Sequence, residues 1–387
     1  MSMLELTMVL AVWGGLAVAG LPLLYLVAAT CAALLGQPRA SPATRRRRIV
    51  IVIPAHNEEL LIADTVTNVR QQDYPADAML VFVIADNCTD LTATLARGAG
   101  ARVFERSGNP GKGQGLHDAL QLLEAEDWDA FLVIDADSHL HPGALSALND
   151  AIEAGGRALQ IRYGVLNPDE SIRTRAMELS TASFNALRPL GKACLGLSAG
   201  INGNGFCLTR ETVAQVPYLA HSIVEDIEYH MLLLKAGIRV DFLDHVWVKA
   251  QMPVGGRGAT VQRVRWERGR IITIRNYAPA LFAAWRQGQP RAVDGLIDVL
   301  MPPASLVLLA LLPALLAGNS VSRGLAVAGV GAMFVHYLVA AIKYGNLGSF
   351  LLLLFYIPWY VIWKSAVVVR SLLLEKNLPW IRTDRHS

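Results

Sequence analysis

The sequence predicts an α/β protein in which a domain with a mostly parallel sheet is flanked by hydrophobic helices long enough to span a membrane. Between residues 49 and 244, short apolar runs alternate with helical patterns, which is typical of a parallel sheet covered by helices. Long apolar stretches occupy both ends of the chain. Of the 387 residues, 53% are hydrophobic and only 17% are charged, and the mean hydropathy is +0.36. This composition excludes an ordinary soluble protein.

The first predicted element is a membrane-spanning helix over Met3–Leu35. Its only charged residue is Glu5, and it is long enough to cross a bilayer. It is too long for the apolar core of a signal peptide, and the basic residues follow it rather than precede it. These basic residues, Arg45–Arg48, form a cluster of the kind that stays on the cytoplasmic side. We therefore expect the N-terminus outside the membrane and the middle of the chain in the cytoplasm, with the bacterial inner membrane as its location.

The middle of the chain contains the predicted sheet. Strands are predicted over Ile49–Ile53, Leu80–Ala85, Ala101–Glu105 and Phe131–Ile134, and helices over Glu59–Gln71, Leu91–Gly98 and Gly115–Ala125. Polar clusters follow three of these strands, at 54–59, 86–90 and 135–137. In open sheets of this kind, ligands bind beyond the carboxyl ends of the strands. Polar clusters that meet at one edge of the sheet therefore predict a binding site.

Asp135 and Asp137 close the fourth predicted strand. Side chains alternate along a strand, so both carboxylates are expected to point to the same side. Two acids that point together repel each other unless a cation is present, and a hard divalent cation that also binds a phosphate is the usual solution. The alternative is a pair of solvated loop acids, in which Asp137 or Ser138 caps a following helix.

Two glycine-rich runs accompany these clusters. Gly111–Gly115 includes Lys112 and is suited to bring backbone amides near a diphosphate. It is not a P-loop, because no Ser or Thr follows the lysine, and a flexible surface loop is an equal alternative. The second run, Asn202–Gly205, contains two glycines that permit close approach of the backbone to a sugar, although a plain tight turn has the same composition.

Glu225 and Asp226 open a predicted helix. Ser222 and Glu225 have the spacing of a capping box, which would engage Glu225 at the start of that helix. Asp226 points elsewhere on the same turn and is suited to accept a proton. The alternative is that both acids only stabilise the N-terminus of the helix.

Gln262, Arg265 and Trp266 stand at positions i, i+3 and i+4 and therefore share one face of a helix. Arg265 offers a planar fork suited to a diphosphate, and Trp266 offers a flat face on which a sugar can stack. The alternative is an amphipathic helix at the membrane surface, because further arginines surround the motif. Both interpretations hold for a helix that lies on the membrane and contributes these three residues to the site.

The C-terminal part contains three more hydrophobic stretches, Leu296–Ala317, Leu325–Ile342 and Leu347–Val369. Four full spans would place the C-terminus outside, whereas the basic residues of the tail indicate a cytoplasmic end. These basic residues are Arg370, Lys376, Arg382 and Arg385. Prolines interrupt the first stretch, so we expect it to be re-entrant or interfacial, which is tolerable where protein covers its backbone. A reporter fused to the C-terminus that reached the periplasm would contradict this topology.

Together these motifs resemble the ordered motifs of family 2 glycosyltransferases. The closer resemblance is to the membrane-embedded branch that contains cellulose, chitin and hyaluronan synthases. The motifs are Ile51–Glu59, Ile84–Asp90, Asp135–Asp137, Val224–Asp226 and Gln262–Trp266. The resemblance covers nearly the whole chain and implies a GT-A type nucleotide-sugar-binding domain. It also implies a nucleotide-diphosphate sugar, UDP-linked, as donor, Mg²⁺ or Mn²⁺ as cofactor, and inversion at the anomeric carbon.

The resemblance implies a role for each residue of the site. Asp226 matches the catalytic base, Asp137 with Asp135 the metal ligands, and Asp86 the acid that accepts the uracil N–H. The donor-binding residues are Pro54, Asn57, Glu58, Asp86, Lys112, Asp135, Gln262 and Arg265. The acceptor-binding residues are Asn204, Glu225 and Trp266. For Asp86 the alternative is a simple turn with Asn87 and Thr89.

Two classes of acceptor remain open. A growing polysaccharide is favoured by the Gln–Arg–Trp motif, whereas a lipid or lipid-linked acceptor is favoured because three or four membrane segments supply few walls for a polymer channel. Membrane lipids are further expected partners, since basic clusters attract anionic headgroups, and no nucleic-acid partner is expected. A non-catalytic scaffold would have damaged motifs, and a transporter would have ionisable residues deep within the spans besides His336.

The expected organisation has six parts. They are a membrane helix over 1–36, a basic linker over 37–48, a catalytic domain over 49–250, interfacial helices over 251–292, membrane or re-entrant segments over 293–370, and a basic tail over 371–387.

Overall fold

The structure is a computed structural model that describes residues 2–37, 39–220, 222, 224–254, 257–289 and 291–373. The side chains of 257–263, 265, 266 and 369–373 lie outside this description, as does the basic tail from 374 onward.

An eight-stranded mixed sheet forms the centre of the described domain. Its strands are β1 Ile49–Ala55, β2 Met79–Asp86, β3 Arg102–Arg106, β4 Ala130–Val133, β5 Ser138–Leu140, β6 Ala158–Val165, β7 Phe206–Thr209 and β8 Val240–Ala250. They are ordered β3-β2-β1-β4-β7-β6-β8-β5. The pairs β1–β2, β1–β4, β2–β3 and β6–β8 are parallel, whereas β4–β7, β6–β7 and β5–β8 are antiparallel. The four predicted strands are confirmed to within two residues at each end.

Helices cover both faces of the sheet. They are α2 Ile62–Arg70, α3 Thr92–Gly98, α4 Lys112–Leu122, α5 Ala144–Glu153, α8 Arg210–Gln215 and α9 Glu225–Lys235. Because side chains alternate along a strand, Ile49 and Ile51 of β1 pack on one face with α2 and α5, whereas Val50 and Val52 pack on the other with α4 and α9. All four are buried, which explains the continuous apolar run of this central strand.

The remaining helices join the domain to the hydrophobic part of the chain. They are α1 Met3–Leu35, α6 Ile172–Ala182, α7 Arg188–Cys194, α10 Arg257–Arg286, α11 Arg291–Leu300, α12 Ala304–Ala317, α13 Ser320–Tyr344, α14 Leu347–Leu354 and α15 Ile357–Leu373. Among the described residues, α1 and α13 are each long and apolar enough to cross a membrane. Two further pairs are bent, α11–α12 by 74° and α14–α15 by 78°.

The bend between α11 and α12 contains Pro302 and Pro303, where the sequence predicts an interruption. Proline lacks the N–H of a helical hydrogen bond, and this explains the break. The third hydrophobic stretch is bent as well, just before Pro358, although only the first was expected to re-enter. Each bent pair is a broken span or a re-entrant loop.

A close contact joins α1 to the catalytic domain. A Cβ atom at Gly191 in α7 would lie 1.9 Å from the carbonyl oxygen of Ala29 in α1, so only glycine permits this approach. Nearby, the fully buried ammonium of Lys192 forms ion pairs with Asp294 and Asp298 of α11. The sheet domain is thus held against both α1 and the broken segment.

Candidate active site

A cavity of about 560 Å³ lies at the carboxyl ends of β1, β2 and β4, where the sequence predicts a site. Most of the predicted site residues share its wall. They are Pro54, Glu58, Asp86, Lys112, Asp135, Asp137, Glu225 and Asp226. The parallel register of β1 with β2 and β4 explains why the first polar clusters meet there.

Asn57 lies beside this wall and joins two of the strand-end loops. Its backbone adopts a φ of +55°, which asparagine tolerates better than most residues. Its side-chain oxygen accepts a hydrogen bond of 2.8 Å from the N–H of Thr89. Thr89 therefore takes part in a bridge between the loops after β1 and β2, and not only in the simple turn considered as the alternative for Asp86.

Asp86 is buried at the end of β2 and joins three neighbouring groups by hydrogen bonds. One carboxylate oxygen accepts hydrogen bonds from Arg106 at 2.5 Å and from the side chain of Asn87 at 2.8 Å. The other accepts the N–H of Gly111 at 3.1 Å. Arg106 ends the neighbouring strand β3, and no recognisable motif marks it in the sequence.

Lys112 is the first residue of α4, so the glycine-rich run Gly111–Gly115 is a helix start and not the flexible surface loop considered as an alternative. The Lys112 ammonium donates to Oδ1 of Asp135 at 2.5 Å and to the carbonyl of Gly203 at 2.6 Å. Burial opposes the charge of the lysine, but the nearby acids outweigh it and raise its pKa. A fixed cation therefore lies at the centre of the acidic cluster.

Asp135 and Asp137 both face the cavity, but strand alternation does not place them. β4 ends at Val133, and a turn carries both acids into the wall. The segment that follows is the strand β5, which begins at Ser138, so the alternative of a solvated loop that caps a helix is wrong. Asp137 is only 8% exposed.

Asn204 supports this turn from below and does not line the cavity. It is 1% exposed, and its side chain accepts the N–H of Asp135 at 3.2 Å and donates to the hydroxyl of Ser138 at 2.9 Å. A positioning role therefore agrees with its contacts better than direct contact with an acceptor.

Glu225 and Asp226 form the other acidic wall. The predicted capping box is absent, because α9 begins at Glu225 and the N–H of Ser222 instead donates to Glu228. Both acids are therefore available to the cavity. Burial raises the pKa of Glu225 to about 7, with a further contribution from Asp226. Burial also raises the pKa of Asp226.

Gly203 packs directly against Asp226. Its φ is +72°, and a Cβ atom there would lie 3.0 Å from Oδ2 of Asp226. Gly203 thus brings the backbone close to an acid of the protein, and the approach to a sugar that the run Asn202–Gly205 suggests stays a prediction.

Gln262, Arg265 and Trp266 belong to α10, but their side chains lie outside the described residues. Their predicted roles therefore stay predictions. One turn further along the same helix, Glu267 and Arg270 reach the cavity wall.

Asp135 and Asp137 can hold a metal ion only if a phosphate supplies further ligands. Within the described part of the chain, no group of three or more His, Cys, Asp or Glu side chains is placed to hold a metal. Mg²⁺ is commonly held by one or two carboxylates together with substrate phosphates. Asp135 and Asp137 supply that partial donor set.

A second cavity of about 890 Å³ opens directly behind the first, among α6, α12, α13, α14 and α15. Its wall is mainly apolar, with contributions such as Leu308, Met333 and Phe350. We call the wall common to both cavities the neck. Its residues are Tyr163, Asn185, Arg188, Ile227, Met252, Glu267, Arg270, Asp298 and Val299.

No sequence motif identifies the residues of the neck. Asp298 within a hydrophobic segment was the available signal, since an ionisable residue there is costly and usually functional.

Comparison with known proteins agrees with this geometry. The model of a family described as glycosyltransferase like family 2 matches residues 46–269, which include the sheet and the acids of the cavity. The chain belongs to this family.

The curated relatives include glycosyltransferases and lipid glucosyltransferases. A probable glycosyltransferase, YdaM from Bacillus subtilis, is 26% identical over 253 residues, which cover 62% of this chain and 59% of the relative. A beta-monoglucosyldiacylglycerol synthase from Synechocystis is 26% identical over 248 residues, which cover 57% of this chain and 47% of the relative. The chain thus spans roughly half to three fifths of the length of these relatives.

Among solved structures, the mannosyltransferase PcManGT from Pyrobaculum calidifontis, in complex with GDP-Man and Mn²⁺, has a similar fold. The TM-score is 0.56 at 19% identity, over 87% of this chain and 98% of that chain. This likeness extends beyond the sheet domain and confirms the GT-A type fold.

Proposed function

We propose that this protein is a membrane-bound inverting glycosyltransferase that moves a sugar from a UDP-linked donor to a lipid or lipid-linked acceptor. The nine described residues that line both cavities carry the proposal, because they place the two cavities side by side. The polar cavity holds the acids suited to a nucleotide sugar, and the apolar cavity behind it is bounded by hydrophobic helices. A reaction between a water-soluble donor and a lipid requires both environments at one point.

The donor binds at the carboxyl edge of the sheet. Asp86 has a free lone pair for an N–H of the base, since its carboxylate accepts only three hydrogen bonds from described residues. Lys112 lies deeper, where the diphosphate follows the nucleoside. Asp135 and Asp137 would hold Mg²⁺ or Mn²⁺, which neutralises charge on the departing diphosphate.

Asp226 acts as the general base. It takes the proton of the acceptor hydroxyl while the hydroxyl oxygen bonds to the anomeric carbon from the side opposite the diphosphate. The bond from that carbon to the diphosphate oxygen breaks with its electron pair, and the configuration inverts. Burial favours this role, because it raises the pKa of Asp226 and so strengthens the base.

The location follows from the same features. α1 and α13 anchor the protein in the cell membrane, and Arg45–Arg48 keep the catalytic domain on the cytoplasmic side. The Gln–Arg–Trp motif favours a second candidate, a processive polysaccharide synthase of the membrane-embedded branch. The apolar second cavity supports the lipid acceptor over that candidate.

The test uses the purified full chain in lipid nanodiscs with a panel of radiolabelled nucleotide sugars and Mn²⁺. We expect label in lipid-soluble product from a UDP-linked donor, and polymeric product would support the synthase instead. Asp226→Asn should lower the transfer rate about 100-fold or more, the scale of general-base catalysis, and leave UDP binding intact. Unchanged turnover would remove Asp226 as the base.

A further inference from the structure

We propose that the acceptor is a phospholipid with a free hydroxyl in its headgroup, whose phosphate binds between Arg188 and Arg270 at the neck while its chains occupy the apolar cavity. This inference rests on the proposed function and specifies the acceptor. The proposed function itself requires only a lipid that offers a nucleophile.

The first observation concerns Arg188, which lines both cavities. Its Nε is buried and has no hydrogen-bond acceptor among the described residues. Its guanidinium lies 5.2 Å from the ring centre of Phe184, and its distance to Asp298 is a long 3.9 Å. Asp298 meanwhile pairs with Lys192. Arg188 is therefore held in place, and its Nε–H is left to donate to a ligand.

The second observation concerns Arg270, which lines both cavities as Arg188 does. It forms no hydrogen bond or ion pair with any residue that the structure describes. The neighbouring acid Glu267 is paired with Lys364 at 2.5 Å. Glu267 and Asp298, the acids of the neck, are each paired with a lysine at short distance, and Asp298 makes only the long contact of 3.9 Å with Arg188.

An anion bound between Arg188 and Arg270 would balance their positive charges. A buried cation is costly unless it is paired and hydrogen-bonded. The planar guanidinium forks present several N–H donors in a fixed geometry that matches phosphate oxygens. Because the apolar cavity begins at the same residues, a phosphate attached to lipid chains fits the neck better than a free phosphate does.

The presence of a general base restricts which group of the acceptor can be the nucleophile. Asp226 lines the first cavity together with both arginines, and the next residue, Ile227, belongs to the neck. A phosphate oxygen is already ionised and needs no base, whereas a hydroxyl does. The nucleophile is therefore a hydroxyl, and the phosphate is a separate group that links it to the lipid chains. The proton moves to Asp226, and the nucleoside diphosphate leaves with the bonding electron pair.

This chemistry distinguishes three lipid classes. A diacylglycerol offers a hydroxyl but no anion for the arginines. A polyprenyl phosphate offers the anion but no hydroxyl. A phospholipid such as phosphatidylglycerol offers both.

The first experiment measures lipid binding without any donor. The purified full chain in dodecyl maltoside micelles is incubated with tritiated dioleoylphosphatidylglycerol or tritiated dioleoylglycerol, and retained lipid is counted. We expect the phospholipid to bind about tenfold or more tightly, and Arg270→Gln and Arg188→Gln each to remove most of this preference, as loss of one charge-assisted hydrogen bond implies. Arg286→Gln, at the exposed end of the same helix, is the matched control and should bind as the unaltered chain does.

The second experiment measures transfer from radiolabelled UDP-glucose, UDP-galactose and UDP-N-acetylglucosamine to the same lipids and to a polyprenyl phosphate. The arginine variants should raise KM for the phospholipid about 10- to 100-fold, with the affinity for UDP and Mn²⁺ unchanged. Retained UDP affinity also reports that the variants are folded.

Three outcomes would overturn the proposal. Equal binding of phosphatidylglycerol and diacylglycerol would remove the phosphate subsite. Loss of UDP affinity in Arg270→Gln or Arg188→Gln, at an unchanged thermal midpoint, would assign the arginines to the donor. Transfer to diacylglycerol or to polyprenyl phosphate in preference to phosphatidylglycerol would leave the proposed function intact and contradict the acceptor class. A chain that binds the phospholipid selectively but binds no UDP would instead contradict the proposed function.

Discussion

The ammonium of Lys112 lies 2.5 Å from Oδ1 of Asp135, so a fixed positive charge adjoins an acid that we propose as a metal ligand. The same ammonium bonds the carbonyl of Gly203, which packs against Asp226. Lys112 therefore connects the acids proposed for the donor with the segment that borders the base.

Lys112→Met should weaken both donor binding and the transfer step. Without this charge, Asp135, Glu225 and Asp226 repel one another more strongly, and the diphosphate loses a cationic partner. We expect kcat/KM for the donor to fall about 10- to 100-fold, the value of one hydrogen bond to a charged group. Lys235→Met, at the exposed end of α9, is the control. Steady-state kinetics that match in the two variants would contradict a role for Lys112.

Asp137→Ala should weaken UDP binding in the presence of Mn²⁺ by about 100-fold, because a bound cation contributes several kcal/mol to charge stabilisation at a phosphate. Without metal, UDP affinity should be the same in the variant and in the unaltered chain. Calorimetric titrations with and without Mn²⁺ measure both values. Asp77→Asn, on the exposed turn before β2, serves as the control. Full metal-dependent affinity in Asp137→Ala would exclude it as a ligand.

The acid pair predicts a pH dependence. Burial, and then Asp226, raise the pKa of Glu225 to about 7, so below that pH the pair retains a proton and the base is weakened. We expect kcat/KM, which reports the free enzyme, to fall as the pH drops through about 7. Glu225→Gln removes one of the coupled acids and should move this acidic limb to lower pH. The exposed Glu211→Gln should leave it in place, and identical profiles for all three proteins would refute the coupling.

Gly203→Ala tests the placement of the base. The new Cβ would lie 3.0 Å from Oδ2 of Asp226, so the carboxylate must shift. We expect kcat to fall about tenfold, since small displacements of a catalytic group have large effects, while UDP affinity is retained. Gly196→Ala is a matched control, because Gly196 has a φ of +75° but nothing within 4 Å of the added Cβ. Both variants carry the same backbone strain, and an equal kcat would show that the contact with Asp226 is unimportant.

Lys192→Met tests the attachment of α11 to the catalytic domain. The variant would leave Asp294 and Asp298 without their buried cation. Removal of one partner of a buried pair costs about 3–5 kcal/mol, so a clear drop in the thermal midpoint is expected in detergent. A simultaneous change of both acids to Asn should restore part of it. A midpoint equal to that of Lys235→Met would show that the cluster contributes little to stability.

Much of the sheet and half of the site follow from local sequence patterns. The strand over Ile49–Ala55 is a run of buried β-branched residues, and the acids after β4 stand where a parallel sheet exposes its ligand-binding edge. The mistakes are also local. Ser222 has the spacing of a capping box, yet the helix begins three residues later because the backbone before it turns toward Glu228.

Periodicity and spacing by themselves determined the α/β class, the hydrophobic ends and the edge of the sheet where the acids Asp135 and Asp137 lie. Only the tertiary structure decided that Lys112 neutralises this cluster and that Arg188 and Arg270 meet in the wall between two cavities. The reason is physical. A strand or helix is specified by residues a few positions apart in the sequence. Arg188 and Arg270 of the neck are some 80 residues apart, and they come to line the same cavities only when α10 and α11 pack on the domain.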